Sequence, residues 1–200
     1  MNYLAHVFLA RQSDDAMVGA VLGDFAKASI AGIYAPAVEL EIRLHRAIDV
    51  YTDSHATVRH AVQLFAQPRR RFAGIVLDVF YDHVLARRWA TYSAMPLCEF
   101  IDAFYQALAT HDGKLPERLR DIAPYMIEQD WLGKYQDFAG VEWAVNRMSQ
   151  RLSRSGDLLR AGLEDVREHY DVIAAGFDSF FPQLIAFSVV RRGELALAAR

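Results

Sequence analysis

The segment between Phe72 and Leu85 restricts the fold more than any other part of the chain. Its apolar residues point in nearly every direction around a helix, which is typical of a helix buried on all sides. Yet the segment also carries Asp78, Asp82 and His83. Other helices must therefore surround it and supply partners for its charged groups, because an unpaired buried carboxylate is strongly destabilising.

The rest of the chain has the same helical character. Hydrophobic residues make up 53% of its 200 residues, and alternating, strand-like segments are nearly absent. Only 11 Gly and 6 Pro interrupt it, with no repeat or linker. We therefore predict an all-α fold, a single compact helical domain over residues 1–200. The predicted helices cover residues 2–11, 15–29, 36–52, 55–66, 70–92, 97–110, 117–128, 138–153 and 158–190.

Individual residues indicate where some helices begin or break. Asp14 and Ser54 have the side chains that N-caps favour. Pro36, Pro96 and Pro116 fit the first turn of a helix. Pro182 lies inside the last helical pattern, and we expect it to kink or split that helix.

Composition excludes several function classes. A net charge of −3 argues against a surface that binds nucleic acid as a whole. Cys98 is the only cysteine, which excludes an internal disulfide and a multi-cysteine zinc site and favours a cytoplasmic location. The apolar N-terminus lacks a basic region and contains His6, unlike a signal peptide. No run approaches the roughly 20 apolar residues of a membrane helix, so we predict no membrane partner.

Three polar side chains form a stripe on the predicted helix 36–52 and just beyond it. His45, Asp49 and Asp53 are spaced i, i+4 and i+8, which places them along one side of a helix. Their neighbours place this stripe at the boundary between core and solvent, where a cleft would open. The alternative is a solvated helix edge with an ordinary His–Asp pair.

The polar group on the buried segment indicates metal more strongly. Asp78, Asp82 and His83 lie within six residues, and one divalent ion explains them better than three separate structural pairings. A buried hydrogen-bond network is the alternative.

Two further residues are weaker candidates. Asp24 follows a stretch in which Gly19 and Gly23 leave one helix face bare, so that a neighbour or ligand can approach closely. His6 lies within an apolar run. For each of them, a hydrogen bond in the core is the competing explanation.

These candidates are carboxylates and imidazoles, without a thiolate. Such ligands suit Mn²⁺, Mg²⁺ or Fe²⁺ and permit Zn²⁺. A metal held by such ligands lowers the pKa of a bound water and neutralises phosphoester oxygens, while a nearby His or Asp transfers protons. The sequence lacks a Gly-rich phosphate loop, a nucleophile elbow and a His-Glu-x-x-His motif. The pattern therefore favours a metal-dependent phosphodiester hydrolase.

Several sequence blocks resemble one known family, the bacterial acyl carrier protein phosphodiesterases. The resemblance covers nearly the whole chain, in order, up to about residue 191. The blocks are Met-Asn-Tyr-Leu-Ala-His-Val-Phe-Leu-Ala at the N-terminus, Gly23-Asp24-Phe25, His45-Arg46-x-Ile48-Asp49-x-x-Thr52-Asp53 and Leu77-Asp78-x-x-x-Asp82-His83.

The resemblance implies an activity, a fold and a cofactor. The family removes the 4′-phosphopantetheine group from the serine of holo-acyl carrier protein, is helical and related to the HD-domain phosphohydrolases, and uses Mn²⁺ or a similar ion. Carried over to this chain, it places the metal among Asp24, His45, Asp78, Asp82 and His83. The residues that we predict to take part in catalysis are His6, Asp24, His45, Asp49 and Asp78.

The implied substrate also predicts a basic docking surface, because acyl carrier proteins are small and acidic. Arg69, Arg70 and Arg71 precede the Asp/His helix and are our first choice, with Arg88 near its end. Arg46 and Arg59 are candidates to hold the phosphate. For each group, a solvated charged face is the alternative.

Two other functions remain open at this point. One is an HD-like phosphohydrolase that acts on a nucleotide or another small phosphoester, which would need arginines inside the pocket. The other is a non-catalytic helical module that binds an acidic partner. The oligomeric state cannot be predicted from the sequence.

Overall fold

The computed structural model describes residues 1–27, 29–111, 113 and 115–198. Within these residues the regular structure is entirely helical, which confirms the predicted all-α class. The α-helices are α1 (Tyr3–Leu9), α2 (Asp14–Leu22), α3 (Pro36–Ser54), α4 (Ala56–Leu64), α5 (Ala73–Arg87), α6 (Trp89–Tyr92), α7 (Leu97–Thr110), α8 (Glu117–Glu128), α9 (Phe138–Gln150), α10 (Gly156–Glu168) and α11 (Tyr170–Ala198), with short 3₁₀ turns at Arg70–Phe72 and Gly133–Gln136.

Helix α5 is the centre of the fold. Eleven of its residues are buried, and they face every direction around the helix. It packs against α1, α4, α9, α10, α11 and the turn at Gly133–Gln136. The predicted all-round burial is therefore confirmed, and the polar residues of α5 extend into the molecule from its central helix.

Helices α2 and α3 pack unusually closely because two glycines lie between them. A Cβ atom on Gly19 would lie 2.7 Å from the carbonyl oxygen of Val38. A Cβ atom on Gly23 would lie 2.1 Å from Cγ of His45, inside its ring. The bare face predicted at these glycines is therefore occupied by α3, and Gly23 leaves the space that the His45 imidazole fills.

The structure corrects several predicted helix ends. The helix predicted over 15–29 ends at Leu22, and residue 28 is outside the described part of the chain. The segment predicted as 70–92 is divided into a 3₁₀ turn, α5 and α6. The two predicted N-caps are each displaced by one residue, since Ser13 caps α2 and His55 caps α4.

Pro182 does not split the last helix. Helix α11 continues through Pro182, and the last predicted helix is broken at His169 instead. A proline inside a helix costs about 3 kcal/mol through its missing hydrogen bond and its steric clash. The burial of Phe180 and Phe181 before Pro182 and of Leu184 after it accounts for the continuity, because packing of this size offsets the loss.

Helix α11 is also more apolar than the sequence analysis predicted. By length and composition alone it could cross a membrane, with a mean hydropathy of 1.5 over its most apolar stretch. In the fold, 39% of that stretch is buried, and α11 packs against α3, α4 and α5. The core helix of a soluble protein has the same properties, so α11 gives no argument for a membrane span.

Candidate metal centre and active site

Two histidines from different helices stack at the centre of the candidate site. The rings of His6 on α1 and His45 on α3 lie 3.8 Å apart between centroids, at an interplanar angle of 17°. Asp49, one turn after His45, contacts both: its Oδ1 lies 3.1 Å from Nε2 of His6 and its Oδ2 lies 3.1 Å from Nε2 of His45. One potential ligand atom from each residue lies within 4.8 Å of the others. This spacing would allow all three to hold one metal ion.

A backbone hydrogen bond fixes the orientation of His45. Its Nδ1 donates to the carbonyl oxygen of Ala20 at 2.6 Å, so Nε2 faces Asp49 and Asp24. Oδ1 of Asp24 lies 3.4 Å from this Nε2 and adds a fourth oxygen or nitrogen donor. Metal-binding histidines are typically oriented by such a hydrogen bond from the second ring nitrogen.

The two histidines have opposite pKa shifts. Burial opposes the charged form of His45, but its hydrogen bonds with Asp24 and Asp49 outweigh this and raise its pKa to about 9. For His6, burial and the charge on His45 lower the pKa to about 4. The hydrogen bond from His45 holds the pKa of Asp24 and Asp49 below the usual range, although burial acts in the opposite direction. At neutral pH, a cationic His45 therefore lies between two carboxylates.

The stacked pair lies beside a cavity of about 270 Å³ that is strongly acidic. Asp24, Asp49, Asp53 and Asp78 line it. The amino group of Met1 lies 2.9 Å from Oδ1 of Asp78 and 3.4 Å from Oδ1 of Asp49. Even when this amino group and His45 are counted as cations, carboxylates outnumber them two to one. The cavity would repel a phosphodiester anion, and a bound divalent cation would reverse this.

His6 also has an unmet hydrogen-bonding capacity. Its Nδ1 is buried and has no hydrogen-bond partner among the described residues. An unsatisfied buried polar atom costs about 1–3 kcal/mol. The donor types, their spacing and the excess of negative charge all fit a divalent metal ion.

Asp82 lies outside this group. It is fully buried, and its two oxygens accept hydrogen bonds from the backbone N–H groups of Leu4 at 2.8 Å and Ala5 at 3.0 Å. Burial raises its pKa to about 7, although these two donors act in the opposite direction. Asp82 therefore caps the beginning of α1, the helix that carries His6.

His83 also lies outside the group, and both of its ring nitrogens are occupied. Its Nδ1 donates to the carbonyl oxygen of Tyr135 at 2.7 Å, and its Nε2 accepts from the hydroxyl of Tyr170 at 2.8 Å. For Asp82 and His83, the geometry matches the hydrogen-bond network that the sequence analysis left as an alternative. Of the five predicted metal ligands, the structure brings Asp24, His45 and Asp78 to the acidic cavity.

Most of the arginines predicted to bind substrate already have intramolecular partners. Arg69 pairs with Glu164 and Asp165, and Arg70 donates to the carbonyl oxygens of Gln63 and Phe65. Their guanidinium groups hold the 3₁₀ turn in place. They are therefore less available to a partner than their exposed sequence context indicated.

The other arginines predicted to bind substrate have different contacts. Arg88 pairs with Asp178, and Arg46 donates to the carbonyl oxygens of residues 26 and 27 beside Asp24. Arg71 lies over the ring of Phe72. Arg59 lines a second cavity together with Asp53 and Asp78. Arg59 is thus the predicted phosphate-binding residue that lies beside the acidic cavity.

Arg118 also lies near the cavity, although it was not among the predicted residues. Its guanidinium lies over Phe25, 5.5 Å from the ring centroid, in the turn that holds Asp24. Burial raises the pKa of Tyr3, and the charge of Arg118 acts in the opposite direction. No local motif marks Arg118, because its position depends on how α8 packs beside this turn.

Comparisons with known proteins agree with the resemblance. The family model "Acyl carrier protein phosphodiesterase" matches residues 1–184. Proteins named acyl carrier protein phosphodiesterase from Salmonella agona (strain SL483) and Salmonella newport (strain SL254) are each 36% identical over 187 residues, covering 93% of this chain and 96% of theirs. No solved structure matches the chain, so the HD-like architecture stays a prediction. The chain belongs to the acyl carrier protein phosphodiesterase family.

Proposed function

We propose that this protein hydrolyses the phosphodiester of holo-acyl carrier protein and releases 4′-phosphopantetheine and the apo carrier protein. One observation carries the proposal: a His/Asp group beside an acidic cavity, in a chain whose residues 1–184 match the phosphodiesterase family. The relatives' name supports the acyl carrier protein as the partner. We also propose that the chain acts as a single phosphodiesterase domain in the cytoplasm, where its one cysteine would remain reduced.

We propose His6, Asp24, His45 and Asp49 as the residues that hold a divalent metal ion. Two imidazoles and two carboxylates suit Mn²⁺ first, with Mg²⁺ or Fe²⁺ as alternatives. When bound, the ion would neutralise the phosphate oxygens and lower the pKa of a water molecule. This set keeps Asp24 and His45 from the sequence prediction, adds His6 and Asp49 and leaves out Asp78, Asp82 and His83.

Asp78 is the proposed proton acceptor. Burial raises its pKa above the usual range, although the charge of the Met1 amino group acts in the opposite direction. A carboxylate with a raised pKa is a stronger base at neutral pH. Its Oδ1 lies 2.9 Å from the amino group, which leaves Oδ2 to take the proton of the attacking water.

The carrier protein needs cations at the rim of the cavity, because it is acidic. Arg59 and Arg118 are the best placed of the arginines: Arg59 lines the neighbouring cavity and Arg118 lies beside the turn that holds Asp24. Arg71, in the 3₁₀ turn that precedes α5, is the third candidate. We propose that these three replace Arg69, Arg70 and Arg88 in the docking surface.

The test is a mass measurement on the carrier protein. Purified protein with Mn²⁺ is incubated with holo-acyl carrier protein, and loss of the phosphopantetheine mass is followed with time. We expect loss that stops with a chelator and returns with Mn²⁺. If the carrier protein keeps its full mass while a small phosphomonoester or nucleotide is hydrolysed, the HD-like alternative is correct instead.

A further inference from the structure

A second cavity continues from the acidic one. It has a volume of about 280 Å³ and lies between α4 and α5. Asp53 and Asp78 line both cavities, so the two spaces meet at these carboxylates. We call this second space the α4–α5 groove. Its other lining residues are Val58, Arg59, Val62, Gln63, Gly74 and Leu77.

The α4–α5 groove, with a volume of about 280 Å³, has room for a thin linear chain. Gly74 leaves the groove open, since a Cβ atom there would have nothing within 4 Å.

The lining of the groove indicates the chemistry of the molecule that would occupy it. Val58 and Leu77 are buried and form an apolar floor, while Gln63 and Arg59 are exposed at its edge. The Arg59 guanidinium has no hydrogen bond or ion pair within the described part of the chain, so its donors are available. The groove therefore suits an uncharged chain with methyl groups and amide carbonyls. A further anion is disfavoured, because Asp53 and Asp78 stand at the entrance.

A nucleotide fits the groove less well. Bases are commonly bound by stacking on aromatic rings. Among the residues for which the structure gives positions, none that lines the groove is aromatic. The pantetheine arm has the required features: two amides, a hydroxyl, geminal methyl groups and a terminal thiol, with no charge beyond its phosphate.

We propose that the α4–α5 groove binds the pantetheine arm while the phosphate lies in the acidic cavity, an inference that rests on the proposed function. The water oxygen forms a bond to phosphorus and gives up a proton to Asp78, the bond from phosphorus to the serine oxygen breaks, and that oxygen takes up a proton, so that one water molecule is consumed. The arm stays on the phosphate throughout. The groove therefore holds the same group in the substrate and in the released 4′-phosphopantetheine, while the carrier protein leaves with the serine oxygen.

The test places a large side chain in the groove at Gly74. Gly74→Phe adds a ring at a position where a Cβ atom would have nothing within 4 Å, and the melting temperature checks that the fold accommodates the ring. We expect kcat/KM for holo-carrier protein to fall about tenfold or more, chiefly through KM, with an unchanged melting temperature. Gly193→Phe is the matched control, because Gly193 on α11 is equally open and does not line the groove.

A binding measurement gives a readout that does not depend on turnover. Free pantetheine, which lacks the phosphate, should bind the wild-type protein and Gly193→Phe in calorimetry, with about tenfold weaker binding to Gly74→Phe. If the wild-type protein leaves holo-carrier protein intact, the proposed function itself fails. If it cleaves the carrier protein while Gly74→Phe matches it in both KM and pantetheine affinity, the groove assignment is overturned and the function stands.

Discussion

At the scale of single residues, Asp49 connects the two histidines of the candidate site. It contacts Nε2 of both His6 and His45, and it lines the acidic cavity. The sequence placed Asp49 on the stripe with His45 through their i, i+4 spacing. It could not place His6 there, because helical periodicity describes the faces of one helix and not which helices meet.

Replacing Asp49 by Asn should therefore abolish most activity without unfolding the protein. The amide keeps the shape but loses the charge that a metal ion and His45 need, so we expect kcat/KM to fall at least about 100-fold. Hydrolysis of holo-carrier protein and the melting temperature are measured together. Asp121→Asn, an exposed position on α8, is the control. Full activity in the Asp49 variant would contradict the proposed ligand set.

The raised pKa of His45 predicts how stability changes with pH in the metal-free protein. Its pKa is about 9 in the folded state and 6.5 in the unfolded state. The resulting stabilisation, of order 3 kcal/mol, is fully present below pH 6.5 and is lost as pH rises through 9.

Denaturant unfolding between pH 6 and pH 9.5, with chelator, measures this loss. His45→Gln should flatten the decline, while His60→Gln, at an exposed position, should leave it unchanged. An identical slope in the wild-type protein and His45→Gln would show that His45 is not the titrating group.

Metal binding should release about one proton at pH 7. His45 is protonated there, and an imidazole must be neutral to bind a metal ion. Affinity for Mn²⁺ should therefore rise about tenfold per pH unit below pH 9. Calorimetry in two buffers of different ionisation enthalpy counts the protons. Binding without proton release would mean that His45 is not a ligand.

At the scale of helices, the sequence predicted some elements well and others poorly. The bounds predicted for α7 and α8 agree with the structure at both ends. Pro96 and Pro116 directly precede these helices and indicate where each one begins. The break at His169 was missed because no Gly or Pro marks it. Asp82 and His83 show a similar limit: their burial was predictable, but their partners come from α1, α11 and Tyr135.

The contact between α2 and α3 gives a prediction about packing. Gly23→Ala places a methyl group 2.1 Å from Cγ of His45, so the ring must move away from Ala20 and the proposed metal. We expect at least about tenfold weaker Mn²⁺ binding with the helical fold retained. Gly74→Ala, where nothing lies within 4 Å, is the control. Unchanged Mn²⁺ affinity in Gly23→Ala would argue against His45 as a ligand.

At the scale of the whole molecule, one buried ion pair connects three distant helices. Arg192 near the end of α11 donates to both carboxylate oxygens of Glu41 on α3, at 2.6 and 3.1 Å, and to the carbonyl oxygen of Leu9. Glu41 is only 2% exposed. Arg192 lies beyond residue 184, where the family match ends, so the resemblance gave no indication of the pair.

Removing the Arg192 side chain should destabilise the protein by about 2–4 kcal/mol, because Glu41 would remain buried with Gln12 as its main partner. Arg191→Ala is the matched control, since Arg191 pairs with Glu194 at the surface and should contribute about 0–1 kcal/mol. Urea unfolding measures both. Equal effects for the two neighbours would show that the buried pair has no special role.

The capping of α1 by Asp82 also determines when the site can exist during synthesis. Leu4 and Asp82 are 78 residues apart, and α1 has only seven residues, too few to be stable alone. The chain must therefore extend well past α5 before α1 can dock and bring His6 to His45. The emerging polypeptide passes through a long period in which His45 and Asp49 are already made but the metal centre is incomplete. Capture of the ion is thus expected to be among the last events of folding.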